Sequence, residues 1–355
     1  MKTTSINRIV DNSKTQAKQH TLIDSVMKGE IGIPRLMAIP SNIDPDTVVC
    51  ENKWMSDEVK VNRAALVKGW NDVYRILSIE SPVFVMSDNP NTEVPSNDLV
   101  WAANSGLALK GPDGKHKFIV SRFKAKSRRT ETPVIAEFVK NIFGEENVII
   151  PPEEYNGKPL FFEGEADCKA IGFDKEKERT NVYVVGVGVR TNEVFCEWFQ
   201  DNFDVKAIPY KAPDEIIEDL YHLDCLLFPV DKYSIIMNTY GIDKETIKEI
   251  KKHTEIIEMG EDEVDVLFNG LTNSIRGKHS IIMPFSPDYV DYQMDEDELD
   301  EYVSLEFDKL EVMDEIADEA GLQLVTVDSS AGYALGAQTS CLSCLLCDQY
   351  YLYHD

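Results

Sequence analysis

The sequence predicts an α/β fold in which five similar units form a pseudosymmetric ring, and three observations lead to it. Apolar runs of four to eight residues, which read as strands, alternate with longer segments of helical spacing. Polar residues interrupt the first strand of each unit at corresponding places, and Asn104, Glu163 and His222 are each spaced 59 residues apart. Units this small cannot bury their own apolar faces, so each must pack on its neighbours.

Residues 1–75 show no repeat and read as a polar arm packing on the ring, with one helix around VNRAALVKGWNDVYRIL; residues 76–355 read as the ring itself. The first unit contains PVFVMS, NDLVWAANSGLAL and KFIVSRF, the helix RRTETPVIAEFVKNIFG and the strand NVII. PLFFEGEADCKAIG, NVYVVGVGV, the helix TNEVFCEWFQDNF and VKAIPY make the second. YHLDCLLFPV, YSIIMN, the helix DKETIKEIKKH and TEIIEM make the third. The fourth runs through VDVLFNGLTNSI and HSIIMPF to the helix LEFDKLEVMDEIADEAG and QLVTVD. Its insertion PDYVDYQMDEDELDEY reads as a solvated acidic loop, with a lid or partner-binding segment as the alternative. A truncated fifth unit, YALGAQTSCLSCLLC, is expected to pair with PVFVMS and close the ring.

The chain has 355 residues, 63 acidic against 36 basic, and a net charge of −27. With 43% hydrophobic residues it is too apolar for wholesale disorder, and no run approaches the roughly 20 apolar residues of a membrane span. An acidic surface repels phosphate backbones and anionic lipid but attracts small cations, so neither nucleic acid nor membrane is an expected partner. The polar amino terminus lacks a secretory core, and the seven cysteines, several in apolar runs, read as reduced thiols. A cytoplasmic protein is expected.

The recurrent polar positions are Asp98 and Asn104, Glu163 and Asp167, His222 and Asp224, Asn269 and Asn273, then Cys341. In a ring they converge on the axis as a polar pocket. Cys341 and His222 would there be a nucleophile and proton carrier, and the carboxylates would repel one another unless a cation lay between them. A planar guanidinium suits the site: carboxylates grip its N–H groups in pairs while its carbon stays open to attack. A divalent metal is the rival cation, but the residues match neither a calcium loop nor a zinc spacing, so no metal or cofactor is expected.

Several motifs carry a resemblance: F-E-G-E-A-D from Phe162, Y-H-L-D from Tyr221, G-A-Q-T-S-C from Gly336, V-W-A-A-N-S-G from Val100 and G-V-G-V-R-T-N from Gly186. Over about residues 80–348 the chain resembles the guanidino-modifying superfamily of amidinotransferases, arginine deiminases and dimethylarginine dimethylaminohydrolases, the five-bladed α/β propellers called penteins. The resemblance implies that Cys341 is the nucleophile, His222 the general acid and then base, and Glu163 the carboxylate that grips the guanidinium. It implies further that Asp98 and Asp224 hold N–H groups, with Asn104 and Asp167 beside them, and that Arg190 and Arg122 bind the substrate's carboxylate. This chain departs from the usual pattern by an extra acid, Glu165, which on a strand would share a face with Glu163 and is an alternative catalytic carboxylate.

The implied reaction is hydrolysis of arginine or a close derivative through a thiouronium intermediate, to citrulline or ornithine. Asn104, standing where deiminase-like relatives use an acid, resembles the dihydrolase branch. Amidinotransfer, dimethylarginine hydrolysis and a noncatalytic metal-binding or interaction protein built on C-x-x-C-x-x-C (Cys341, Cys344, Cys347) are the alternatives. On a strand Cys344 would face away from Cys341, into the core.

Overall fold

The order of secondary structure repeats one motif: two antiparallel strands, a helix, and a third strand parallel to the second. The computed structural model describes residues 32–40, 62–87, 97–261, 263–288 and 294–349. From the amino terminus come β1 (Arg35–Ala38), helix α1 (Arg63–Glu80) and β2 (Val83–Met86). The first complete unit follows as β3 (Gly106–Lys110), β4 (His116–Val120), α2 (Glu131–Phe143) and β5 (Val148–Ile149). A small hairpin, β6 (Glu154–Tyr155) and β7 (Lys158–Pro159), turns at Asn156 and Gly157, both at positive φ as such tight turns require.

The second unit is β8 (Cys168–Asp174), β9 (Arg179–Gly186), α3 (Glu193–Phe203) and β10 (Lys206–Tyr210). The third is β11 (Leu227–Pro229), β12 (Ser234–Asn238), α4 (Lys244–Ile250) and β13 (Glu255–Met259). The fourth opens with α5 (Val264–Phe268) and continues as β14 (Ile275–Arg276), β15 (Ser280–Pro284), α6 (Glu296–Glu319) and β16 (Gln323–Val327). The last element is β17 (Cys344–Leu345).

Five three-stranded sheets result, and in each complete unit the central strand is antiparallel to the first and parallel to the third. Central strands are covered on both sides, so they read as continuous apolar runs: Ile235, Ile236 and Met237 in β12 and Ile281, Ile282 and Met283 in β15 are all buried. Helices cover the sheets with one apolar stripe; α3 buries Phe195, Trp198, Phe199 and Phe203 against the second sheet.

The fifth sheet is made from both ends of the chain, in the order β17, β1, β2. The expected pairing of the final strand with PVFVMS is therefore indirect: β1 lies between them, antiparallel to β17 and parallel to β2. A boundary at 75/76 consequently cuts through α1 and leaves β1 outside the unit it completes. Four residues, RLMA, carry too little pattern to be read as a strand, although all four are buried.

Two further expectations are corrected. The polar residues do not interrupt strands. Asn104, Glu165, Asp167, Asp224 and Cys341 lie in short 3₁₀ turns that precede the first strands, and Glu163 and His222 flank such turns. The acidic insertion is not loop throughout, because α6 begins at Glu296, where Asp295 and Glu298 form a capping box and the acidic first turn suits the helix dipole. Residues 289–293 of that insertion lie outside the described residues.

The turns pack on one another. Gly164, at φ +70, lies so near the first unit's turn that a Cβ would meet Ala103 O at 2.6 Å. Asp167 accepts the Leu223 N–H of the third unit at 3.1 Å, and Asn273 of the fourth accepts the Ser340 N–H of the fifth at 3.0 Å.

Candidate active site

Because each first strand begins just after its turn, the turns bring side chains from separate units into one narrow pocket. Asp98, Trp101, Asn104, Arg128, Arg190, Tyr221, His222 and Cys341 line it, with Leu335, Gly336 and Ala337.

Glu163 and His222 form the best-defined pair: Nε2 lies 3.1 Å from Glu163 Oε2, with Glu163 wholly buried. Burial pushes the Glu163 carboxyl up, but the His222 hydrogen bond and the Arg190 and Arg128 cations outweigh it and hold the group down to about 2. Glu163 Oε1 has no hydrogen-bond partner and lies 3.8 Å from an Arg190 nitrogen. Asn104 Nδ2 stands 3.5 Å from the same imidazole nitrogen, while its Oδ1 accepts Arg128 at 3.0 Å.

Cys341 is buried beside Asn273, whose amide nitrogen is 3.6 Å from Sγ, and Asp224, whose Oδ2 is 3.9 Å away. Burial first, and then the Asp224 charge, push the thiol up to about 12. That same Asp224 oxygen accepts the Ser340 hydroxyl at 2.6 Å. At neutral pH the nucleophile candidate is therefore a neutral thiol.

The remaining expected residues divide. Arg190 lines the pocket, with its guanidinium 5.1 Å from the Tyr221 ring centroid. Asp167 lies behind the pocket as a brace, accepting the Thr191 hydroxyl at 2.6 Å and the Leu223 N–H, and burial raises its carboxyl to about 6. Arg122 does not line the pocket: its Nε donates to Pro151 O at 2.7 Å and its guanidinium lies 3.5 Å from Glu153, because the bridge between Arg122 and Phe162 turns it to that side.

Glu165 does not share a face with Glu163. A 3₁₀ turn rotates successive residues by about a third of a circle, not a half, and Glu165 instead accepts Leu345 N–H at 2.6 Å and pairs with Lys169 at 3.7 Å. Cys344 is fully buried against Gly106 O.

Sequence reasoning missed Arg128. Its guanidinium binds both Glu131 oxygens, Asn104 Oδ1 and Asp98 O, and so ties the first unit's turns to the start of α2. The Arg-x-x-Glu spacing at a helix entry was the available signal. The pocket is accordingly not a bare carboxylate cluster: Arg128 and Arg190 already offset part of its negative charge.

Repeated units of this order, carrying a buried thiol and a carboxylate-held histidine on converging turns, define a guanidino-modifying protein of the pentein type. Residues 49–311 match the family described as N,N dimethylarginine dimethylhydrolase, eukaryotic, and the chain belongs to that family. No curated protein matches the sequence. Among solved structures, the amino-terminal domain of ArgZ, an arginine dihydrolase of the ornithine-ammonia cycle in cyanobacteria, superposes with a TM-score of 0.64 at 22% identity. That likeness covers 89% of this chain and 98% of the other. A variant of the same ArgZ domain, covalently bound to a reaction intermediate, gives 0.65 at 22% identity, covering 88% and 97%. Dimethylarginine dimethylaminohydrolase from Pseudomonas aeruginosa, a mutant complexed with citrulline, gives 0.61 at 16% identity, covering 89% and 99%. At these identities the structures establish the fold.

Proposed function

We propose that the protein is a cysteine-dependent hydrolase of the guanidino group of arginine or a close derivative, acting through a covalent intermediate on a closed five-bladed ring. The observation that carries the reading is that His222, held by the buried Glu163, lines the same pocket as the Cys341 thiol. Closure of the ring is supported by the fifth sheet, which joins the two ends of the chain.

A cationic guanidinium entering the pocket meets Asp98 on its wall, with the Glu163 carboxylate behind His222 and the Asp224 carboxylate beside Cys341. Its charge offsets the Asp224 field that adds to burial in holding the Cys341 thiol up, so the thiolate forms when substrate arrives and the proton it releases is taken up by His222. Cys341 Sγ then bonds to the guanidinium carbon, and His222 gives a proton to the nitrogen that leaves as that C–N bond breaks. His222, now neutral and oriented by Glu163, takes a proton from water; the hydroxide adds to the carbon and the C–S bond breaks. Arg190 is the pocket cation that holds the substrate's carboxylate.

The structural relatives named as arginine dihydrolases, and Asn104 beside His222, favour unsubstituted arginine. The family description supports dimethylarginine as the second reading. Incubation with arginine or asymmetric dimethylarginine, with and without glycine, decides between them when products are identified by mass spectrometry. Citrulline or ornithine with ammonia from arginine is expected. Dimethylamine release alone selects the second reading, a glycine-dependent guanidino product indicates transfer, and no turnover of any guanidino compound overturns the proposal.

A further inference from the structure

Asn273 lies between α5 and β14 of the fourth unit and is 2% exposed, yet it does not line the active-site pocket. It touches the pocket's thiol from outside the pocket wall. The main chain fixes its place: the Asn273 N–H donates to Gly270 O at 3.0 Å, Gly270 takes a positive φ of +82, and Lys309 of α6 donates to Asn269 O at 2.8 Å.

One bond settles which way the amide faces. The Ser340 N–H can only donate, and it lies 3.0 Å from Asn273 Oδ1 as well as 3.1 Å from Asn273 O, so that side-chain atom is the oxygen. The amide nitrogen stands 3.6 Å from Cys341 Sγ and 3.7 Å from Cys225 Sγ. Its two N–H groups are enough for both sulfurs. The thiol's own proton has acceptors in Asn273 Oδ1 at 3.8 Å and Asp224 Oδ2 at 3.9 Å. Asp224 and Cys225 of the third unit face the Cys341 sulfur, with Tyr221, His222 and Arg190 on the pocket side. Burial and the Asp224 charge oppose ionisation of Cys341, whereas the Gln338 main chain, the Asn273 amide and Ser340 favour it.

We infer that Asn273 is a catalytic residue: its amide N–H holds the Cys341 thiolate, as nucleophile when Sγ bonds to the guanidinium carbon and as leaving group when the C–S bond breaks. The electron pair of that C–S bond returns to sulfur, and both amide protons stay on Asn273 throughout. A hydrogen bond to an ionised acceptor is roughly twice as strong as one to its neutral form, so the donor favours thiolate over thiol. This role rests on the covalent hydrolysis proposed above. Its test on the thiol does not.

The experiment follows alkylation of Cys341 by iodoacetamide against pH, located by mass spectrometry of the peptide that carries it, in wild type, Asn273→Leu and Asn273→Asp. Leu fills the amide's space without a donor, and the Ser340 N–H keeps the residue 273 carbonyl as acceptor. Loss of a hydrogen bond to a charged group should lower the thiolate fraction roughly tenfold or more. The more basic thiolate is intrinsically more nucleophilic, so the net slowing of Asn273→Leu should be at least about threefold at each pH below the thiol's midpoint. Asn273→Asp should slow further at alkaline pH, where its carboxylate repels the thiolate. Cys225→Ala leaves the donor in place and should not slow alkylation of Cys341. With arginine, both Asn273 variants should lose kcat about tenfold or more, while calorimetric binding of arginine holds, since Asn273 is not on the pocket wall. If wild type turns over no guanidino compound while the variants alkylate as expected, the hydrolase reading fails and the thiolate donor stands. Wild-type alkylation rates in both Asn273 variants overturn the donor, as do losses of arginine binding equal to the losses of kcat.

Discussion

Replacing Asp224 by Asn should make the Cys341 thiol more acidic and the enzyme slower. The Asp224 oxygen lies 3.9 Å from Sγ. At an effective dielectric constant of about 20, a unit charge at that distance opposes the thiolate by roughly 4 kcal/mol, equivalent to about three pKa units. That is an upper bound, because burial is the larger cause of the rise from 9.0 to about 12 and it survives the substitution. A fall of about one to two units is therefore expected, which raises the thiolate fraction below the pKa about ten- to a hundredfold. The assay is the rate of alkylation by iodoacetamide as a function of pH, with Cys341→Ala measured in parallel to subtract the half-buried Cys225. Wild-type reactivity should still be climbing where an ordinary thiol has levelled off, and Asp224→Asn should level earlier. Turnover should fall nonetheless, since the carboxylate that meets the guanidinium is gone. Unchanged or slower alkylation of Asp224→Asn would refute the electrostatic reasoning.

Cys341→Ala should abolish turnover while still binding arginine by calorimetry, and chelators should leave the wild type active; the reverse pair of results excludes covalent thiol catalysis. Glu163 is held down from 4.5 to about 2, so its contribution to stability is complete above its ordinary pKa and is lost as pH falls toward about 2. Urea midpoints of Glu163→Gln measured through that window should lack this acid-side loss, and its turnover at neutral pH should drop because His222 is no longer oriented. Asp167→Asn keeps one acceptor oxygen where two are used, by Leu223 N–H and the Thr191 hydroxyl, and should cost about 1–3 kcal/mol in denaturant unfolding. Gly186→Ala would place a Cβ 2.8 Å from that of Leu223, next to His222, so kcat should fall more than stability does.

How far the site could be read from the chain varies residue by residue. The convergence of Cys341, His222 and Asn104 was legible because a repeated unit returns its first turn to the same place, whereas Arg190, beyond the second strand of its unit, was read only from the resemblance of G-V-G-V-R-T-N; all four line the pocket. Arg122 and Arg128 could not be ranked that way. They are six residues apart, and which guanidinium reaches the pocket depends on the bridge at Phe162 and the entry to α2, both tertiary features. Glu163 and Glu165 are separable only once the backbone between them is known to be a 3₁₀ turn, since an apolar segment broken by acids reads equally well as a strand.

The sequence by itself determined the number and order of the units, because apolar periodicity records which faces are buried along the chain. It also determined the chemistry available, since residue type sets charge, proton affinity and nucleophilicity. The tertiary structure decided which carboxylate meets His222, which arginine enters the pocket, and that β1 completes the fifth sheet between strands from the opposite end of the chain. It also decided the protonation state of Cys341, raised by burial and by Asp224 from another unit. Those outcomes depend on distances between groups far apart in sequence, and Coulombic and desolvation energies are set by distance and burial, which local pattern does not encode.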